Sequence, residues 1–304
     1  MSNSRAYRLK RKEALPEGVA RIARGRIDHA IDELNGEAGS SPEEAVHNTR
    51  KDMKKLRALL RLMRSELGDD VYRRENECFR DAAAELSGVR DADVMLATLE
   101  TLELEEPVSG PLRQALEAHR LRTGGGSRKQ AASQVIEILE QARARAAEWP
   151  LERDDFEALR PGLRRMYKRG RREFLALREE PTVEGLHEWR KRSKELWYDH
   201  ALLGSLWKPV MDAVGDEAHA LSDRLGDDHD LAVLLAWAQE HAEPEPELVE
   251  AVERRRAKLQ RDAFELGARL YADRPKAFLR RLELLWEASR EQAAQSPVKT
   301  SSAS

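Results

Sequence analysis

The chain has 304 residues and a formal net charge of −3, with 36% charged and 5% aromatic side chains. Its one cysteine, Cys78, excludes an intrachain disulfide and a zinc site built on paired thiolates. No apolar run is long enough to span a bilayer.

Glu, Lys, Arg, Ala and Leu dominate, and alternating β-branched stretches are nearly absent. This predicts an all-α fold, in one large domain or two of ordinary size. The N-terminus, MSNSRAYRLKRKEALPEG, lacks the apolar core of a secretory signal, so a cytoplasmic location is expected. Residues 1–14 and 291–304 are expected to be flexible termini around two helical repeats, 15–149 and 150–290, of about four helices each.

Along the first repeat, Ser41, Pro42 and Glu44 predict a helix start with a capping box. Residues 46–64 then carry seven Lys or Arg and one acid, with His47 in the second helical turn. Arg50, Lys54, Arg57 and Arg61 share one helix face, widened by Lys51 and Lys55. Thr49, Met53, Leu56, Leu60 and Met63 form a separate stripe that should face the core. Residues 99–106 hold four acids and no base, and TGGGS at 123–127 reads as a loop. Pro150, Pro161 and Gly162 punctuate the middle of the chain.

In the second repeat, residues 160–178 carry eight bases and one acid, and Thr182 is the expected cap of the next helix. That helix should bury Trp189, Ser193, Leu196, His200 and Leu203, and present Arg190, Lys191 and Lys194. EPEPE at 243–247 reads as a loop, inside the acidic stretch 240–250.

The chain repeats itself. VHNTRKDMKKLRALLRLM (46–63) matches LHEWRKRSKELWYDHALL (186–203) in His, in Arg three positions on, in Lys four and seven on, and in Leu nine on. ELSGVRDADVMLATL (85–99) matches RLGDDHDLAVLLAWA (224–238) through Leu86 and Leu225, Asp91 and Asp230. ARGRIDHAI (23–31) and KRGRREFLA (168–176) share Arg-Gly-Arg. Three ordered matches at offsets of 139–145 indicate two related halves.

A helix face of like charges repels itself by a few tenths of a kcal/mol per pair. Asp52 is the one acid near the first stripe, so a multivalent anion, acids from other helices, or water must offset it. Arg offers a planar fork to phosphate oxygens and Lys a mobile point charge. His47 and His187 can orient neighbours while neutral, or add charge as pH falls through about 6.5.

These motifs together resemble the CHAD family, the conserved histidine α-helical domain, over roughly residues 15 to 290. The basic segments resemble its two His-x-x-Arg copies, and LGDDHDLAVLL resembles its Leu-Gly-x-x-x-Asp-Leu segment. The resemblance implies two four-helix bundles related by pseudo-twofold symmetry around a basic channel. It also implies binding of inorganic polyphosphate and contact with polyphosphate granules and their proteins. The family's His falls on His47 and His187, its first base on Arg50 and Arg190, and its later basic pair on Lys54 and Lys55. In the second copy only Lys194 is basic, because Glu195 holds the next place and Trp197 stands where Arg57 stands. Arg24, Arg26, Lys168, Arg169, Arg171 and Arg172 match the family's general basic character.

The expected function is polyphosphate binding without catalysis, cofactor, metal or membrane. There is no P-loop glycine pattern, no His-Glu-x-x-His and no evident nucleophile. One alternative is a metal-dependent phosphohydrolase of the HD type using His229-Asp230. The repeat puts Arg90-Asp91 at that place, which gives the Asp a structural role such as helix capping. Another is nucleic-acid binding, with Trp189, Trp197 and Tyr198 as stacking platforms, although the overall acidity argues against it. Inositol phosphates are a further candidate ligand.

Overall fold

The computed structural model describes residues 6–86, 91–123 and 128–295, apart from the side chains of Asp91, Thr123, Arg128 and Lys129. The described residues are all helical or irregular, in eleven helices. They are α1 (Leu15–Leu34), α2 (Pro42–Leu67), α3 (Asp69–Glu85), α4 (Asp91–Glu100), α5 (Glu106–Thr123) and α6 (Arg128–Ala146). Then follow α7 (Phe156–Glu179), α8 (Val183–Leu202), α9 (Lys208–His241), α10 (Pro246–Leu270) and α11 (Pro275–Gln295). No described helix is long and apolar enough to cross a membrane.

The local signals act as their chemistry requires. Ser41 Oγ accepts from the Glu44 N–H at 3.2 Å, and Glu44 returns a carboxylate to the Ser41 N–H at 2.9 Å. Thr182 Oγ1 accepts from the Gly185 N–H at 3.1 Å. The two stripes are buried in full: Thr49, Met53, Leu56, Leu60 and Met63 on α2, and Trp189, Ser193, Leu196 and His200 on α8 with Leu203 at its C-cap.

The helices close into two rings. α1, α2, α3 and α6 pack in one cycle, and α7, α8, α9 and α10 in another, with α11 laid on α7. α2 joins the rings by packing on both α7 and α8. One continuous core runs through both rings, from Val19, Leu59 and Phe79 to Leu163, Trp189 and Phe278. α4 and α5 pair with each other and lie on α9 and α10. There a second core forms around Met95, Leu116, Leu234 and Val252.

Several expectations change. The count exceeds four helices per half because α4, α5 and α11 add to the rings. Pro161 and Gly162 do not break the chain but lie inside α7. A Cβ on Gly162 would sit 2.1 Å from the Leu62 carbonyl oxygen, so the missing side chain lets α7 cross α2 at backbone contact. EPEPE divides: Glu243–Glu245 make the turn, and Pro246 starts α10 at the position where its missing N–H costs nothing. The same left-handed backbone occurs at Glu103 (φ 51°) and Glu243 (φ 44°), in the α4–α5 and α9–α10 turns.

Residues 6–14, expected to be flexible, are docked instead. Leu9 is buried and donates its N–H to the Leu202 carbonyl at 2.9 Å. Tyr7 packs edge-on against Tyr198 of α8 and donates its hydroxyl to the Lys55 carbonyl of α2. This N-terminal strap ties the two motif helices together. Residues 1–5, 87–90, 124–127 and 296–304 lie outside the described residues. These take in most of the TGGGS loop, Arg90 of the first Asp motif and most of the expected C-terminal tail.

Candidate functional site

α2 and α8 meet between the rings, so the two copies of the basic motif share one place. On α8, burial first and then Arg190 depress the Lys194 amine to about 8, Asp223 and Asp230 oppose this, and Lys51 of α2 adds a smaller push in the same direction as Arg190. Lys55 is lowered as well, first by burial; Asp52 partly offsets this, and Arg26 and Lys51 add to it. Lys51, Lys55 and Lys194 make no ion pair or side-chain hydrogen bond among the described residues. Lys55 and Lys194 are half-buried and Lys51 is exposed; with no described carboxylate in ion-pair contact, these ammonium groups form an anion-attracting edge that Asp52, Asp223 and Asp230 offset in part.

The other bases divide. Arg26, buried, gives its charge to Asp52 at 3.1 Å, and His29 Nδ1 lies 2.6 Å from the same carboxylate. Thus the one acid near the first stripe is engaged from α1 and turned into the core. Arg50 reaches the Leu86 carbonyl at 3.5 Å, and Arg57 donates to Asn76 at 3.1 Å. His47 lies on the second turn of α2, and Lys54 is exposed. Lys191 pairs with Glu188 at 2.5 Å.

Arg61 meets an acid from the other ring. Its Nε lies 2.6 Å from Glu195 Oε1, although the N–H is not aimed for a hydrogen bond. Glu195 accepts instead from Arg192 at 2.8 and 2.9 Å. These three residues line a recess at the α2–α7–α8 junction, shared with Arg165, Arg169 and Asp199. Burial, then Glu195, raises the Asp199 carboxyl well above the usual range. Arg169 therefore joins Arg61. Arg171 instead donates to the Tyr271 carbonyl, and Arg172 pairs with Glu173 on the exposed side of α7. Lys168 on α7 and Arg24 on α1 are exposed.

Arg190 lies flat on α9. A Cβ on Gly226 would be 2.8 Å from its Nη2, so the glycine of the Leu-Gly motif leaves room for the guanidinium. Beside it His187 faces His229, with ring centroids 4.1 Å apart.

A family model for the CHAD domain matches residues 21–239, most of the chain. The chain belongs to the CHAD family. A crystal structure of the CHAD domain from the plant Ricinus communis is similar to this CHAD protein at a TM-score of 0.61. It covers 90% of this chain and 97% of that one at 20% identity, a likeness of fold. No curated protein matches this CHAD chain.

Two features of the site emerge only in the fold. Asp223, Asp227 and Asp230 share a face of α9 at spacings of four and three, and Asp223 and Asp230 act on Lys194. The acidic spacing was there to be read, but its direction depends on how α9 lies on α8. Asp230 is also no cap: it lies in the interior of α9. His229, a metal-ligand candidate in the sequence, has His187 as its neighbour. Among the described residues no group of three or more His, Cys, Asp or Glu is arranged to hold a metal. Trp189 is buried against Phe174 and Phe264, Tyr198 is buried, and Trp197 is packed between Tyr198 and His219. These rings are packing, not a stacking platform.

Proposed function

We propose that this CHAD protein binds inorganic polyphosphate along the crossing of α2 and α8, without catalysing its turnover. The observation that carries the reading is the half-buried Lys194 on α8, its pKa lowered by burial and Arg190, facing the Lys51 edge of α2, with Asp223 and Asp230 opposing but neither in ion-pair contact. A linear anion with one charge per phosphate relieves the repulsion among these cations at several points at once. Lys54, Lys55 and Arg50 extend the α2 edge. Asp223 and Asp230 offset part of the α8 edge, so binding leans towards α2. A cytoplasmic site of action, at polyphosphate granules and among their proteins, follows from the same reading.

The test is a titration with long-chain polyphosphate over a range of salt concentrations. By analogy with nucleic acids, log K should fall linearly with log salt, by about 0.7 to 0.9 per phosphate contact. Competing single-stranded RNA and inositol hexakisphosphate should bind more weakly. Folded protein that shows no binding at low salt rejects the reading.

A further inference from the structure

His187 and His229 face each other across the α8–α9 contact, with ring planes 38° apart. Nδ1 of each is buried without a hydrogen-bond partner, and so is Nε of Arg190, three residues from His187. Buried polar atoms in folded proteins are rarely left unpaired. Only Arg190 Nε is a fixed donor; an imidazole nitrogen donates or accepts according to its proton, so two facing rings beside Arg190 and Lys191 can give a hydrogen bond to oxygen acceptors once one of them is charged.

The surroundings decide the protonation state. Burial brings His187 down to about 4, helped by His229, Lys191 and Arg190 and opposed by Glu188. Burial also lowers His229, with Arg190 and Lys191, against Asp230 and Asp228. The nearby acids are largely engaged. Glu188 pairs with Lys191, and Asp228 accepts from Arg256 and Gln260 of α10 at 3.1 and 2.8 Å. α7 meets this end of α8 through apolar groups, Leu177 on Gly185 and Phe174 on Trp189. α4 meets α9 through Met95 and Leu99, and α2 brings Lys51 towards Lys194. In the free protein, then, both imidazoles are neutral at pH 7, held so by burial and by the neighbouring cations.

We propose that His187 and His229 together form a proton-accepting contact for the bound anion: phosphate oxygens that settle on Arg190 and Lys191 draw a proton from solvent onto the imidazole pair, which then donates to them. This rests on the polyphosphate reading and deepens it, adding His229 to the site and linking affinity to pH. The proton moves from buffer to a ring nitrogen, and no other bond changes. Two rings this close accept one proton far more readily than two, so uptake is at most about one proton per binding event. The sign follows from linkage. The ligand raises a depressed pKa, so affinity climbs as pH falls through the bound-state value, by at most about tenfold per pH unit. The climb flattens near pH 4, where free His187 is already charged.

The experiment is calorimetric titration of the full chain with long-chain polyphosphate, in buffers of different ionisation enthalpy, between about pH 8 and pH 5. Long chains keep the ligand's own titration small, because only end groups titrate near pH ~6 as phosphate monoesters do. Wild type should take up protons and bind several-fold more tightly at the acid end. His229→Gln should lose most of the proton uptake and of the pH dependence. His241→Gln, on the exposed end of α9, should behave as wild type. Histidine ring proton shifts on adding polyphosphate to the wild type give a reading that needs no variant. Binding with no proton uptake and no pH dependence overturns the proton link and leaves polyphosphate binding standing. No binding at any pH by folded protein overturns both.

Discussion

Arg61 of α2 and Glu195 of α8 meet at 2.6 Å across the boundary between the two rings. Glu195 is 6% exposed and also holds Arg192, so one carboxylate balances two guanidinium groups. In sequence Glu195 interrupts the second basic motif. In the fold it ties that motif to the first.

Glu195→Gln should therefore have two opposite effects. Removing one partner of a buried pair leaves unbalanced charge and costs about 3 kcal/mol. The urea midpoint should fall accordingly. The same change leaves more net positive charge beside the crossing, so polyphosphate binding at low salt should tighten. Equal stability in the variant would mean that the pair contributes nothing to joining the rings.

The α2–α8 crossing should be separable from general surface charge. Lys51→Glu with Lys194→Glu should weaken polyphosphate binding strongly and flatten its salt dependence, by about 0.7 to 0.9 in slope per lost contact. Arg254→Glu with Lys258→Glu makes the same change in net charge on exposed α10, where the side chains already pair with Glu250 and Asp262. Equal losses in both double variants would indicate diffuse attraction rather than a site.

Lys194 should be the most reactive lysine near pH 8, since burial and Arg190 bring its amine down to about 8. An ordinary lysine titrates near ~10.4 and is almost fully charged there. Amine-directed labelling read by mass spectrometry should mark Lys194 first, and long polyphosphate should protect it. The linkage has a matching sign. Between about 8 and 10.5 the unfolded chain holds the Lys194 proton that the folded chain has lost, so stability rises with pH across that window. Lys194→Met should remove that rise and be more stable than wild type at pH 7.

Gly162→Ala tests the crossing of α7 and α2. Alanine gains up to about 1 kcal/mol over glycine in a helix interior. Here its Cβ would lie 2.1 Å from the Leu62 carbonyl oxygen, a backbone atom that cannot rotate away. The clash should dominate, with a net loss on the order of 1–3 kcal/mol as for overpacked cores. Thermal unfolding checks the sign, and a stabilised variant would refute close backbone contact.

The sequence by itself determined the helices and their faces. Capping at Ser41 and Thr182, the buried stripe from Thr49 to Met63 and the basic edge beside it depend on residues three or four apart, and a helix places such residues whatever surrounds it. The matching motif 140 residues on puts the same spacing of His, Arg and Lys on a second helix, α8. Only the tertiary structure decided which charges are balanced. Glu195 on Arg61, Asp52 turned to Arg26, Asp223 and Asp230 facing Lys194, and His229 against His187 are all meetings between helices. Gly162 belongs with these, since its role is the approach of α2 to α7, which the sequence does not show. Helical periodicity is a local property that one stretch of chain carries alone, whereas the angle at which two helices cross is set by all the side chains packed between them.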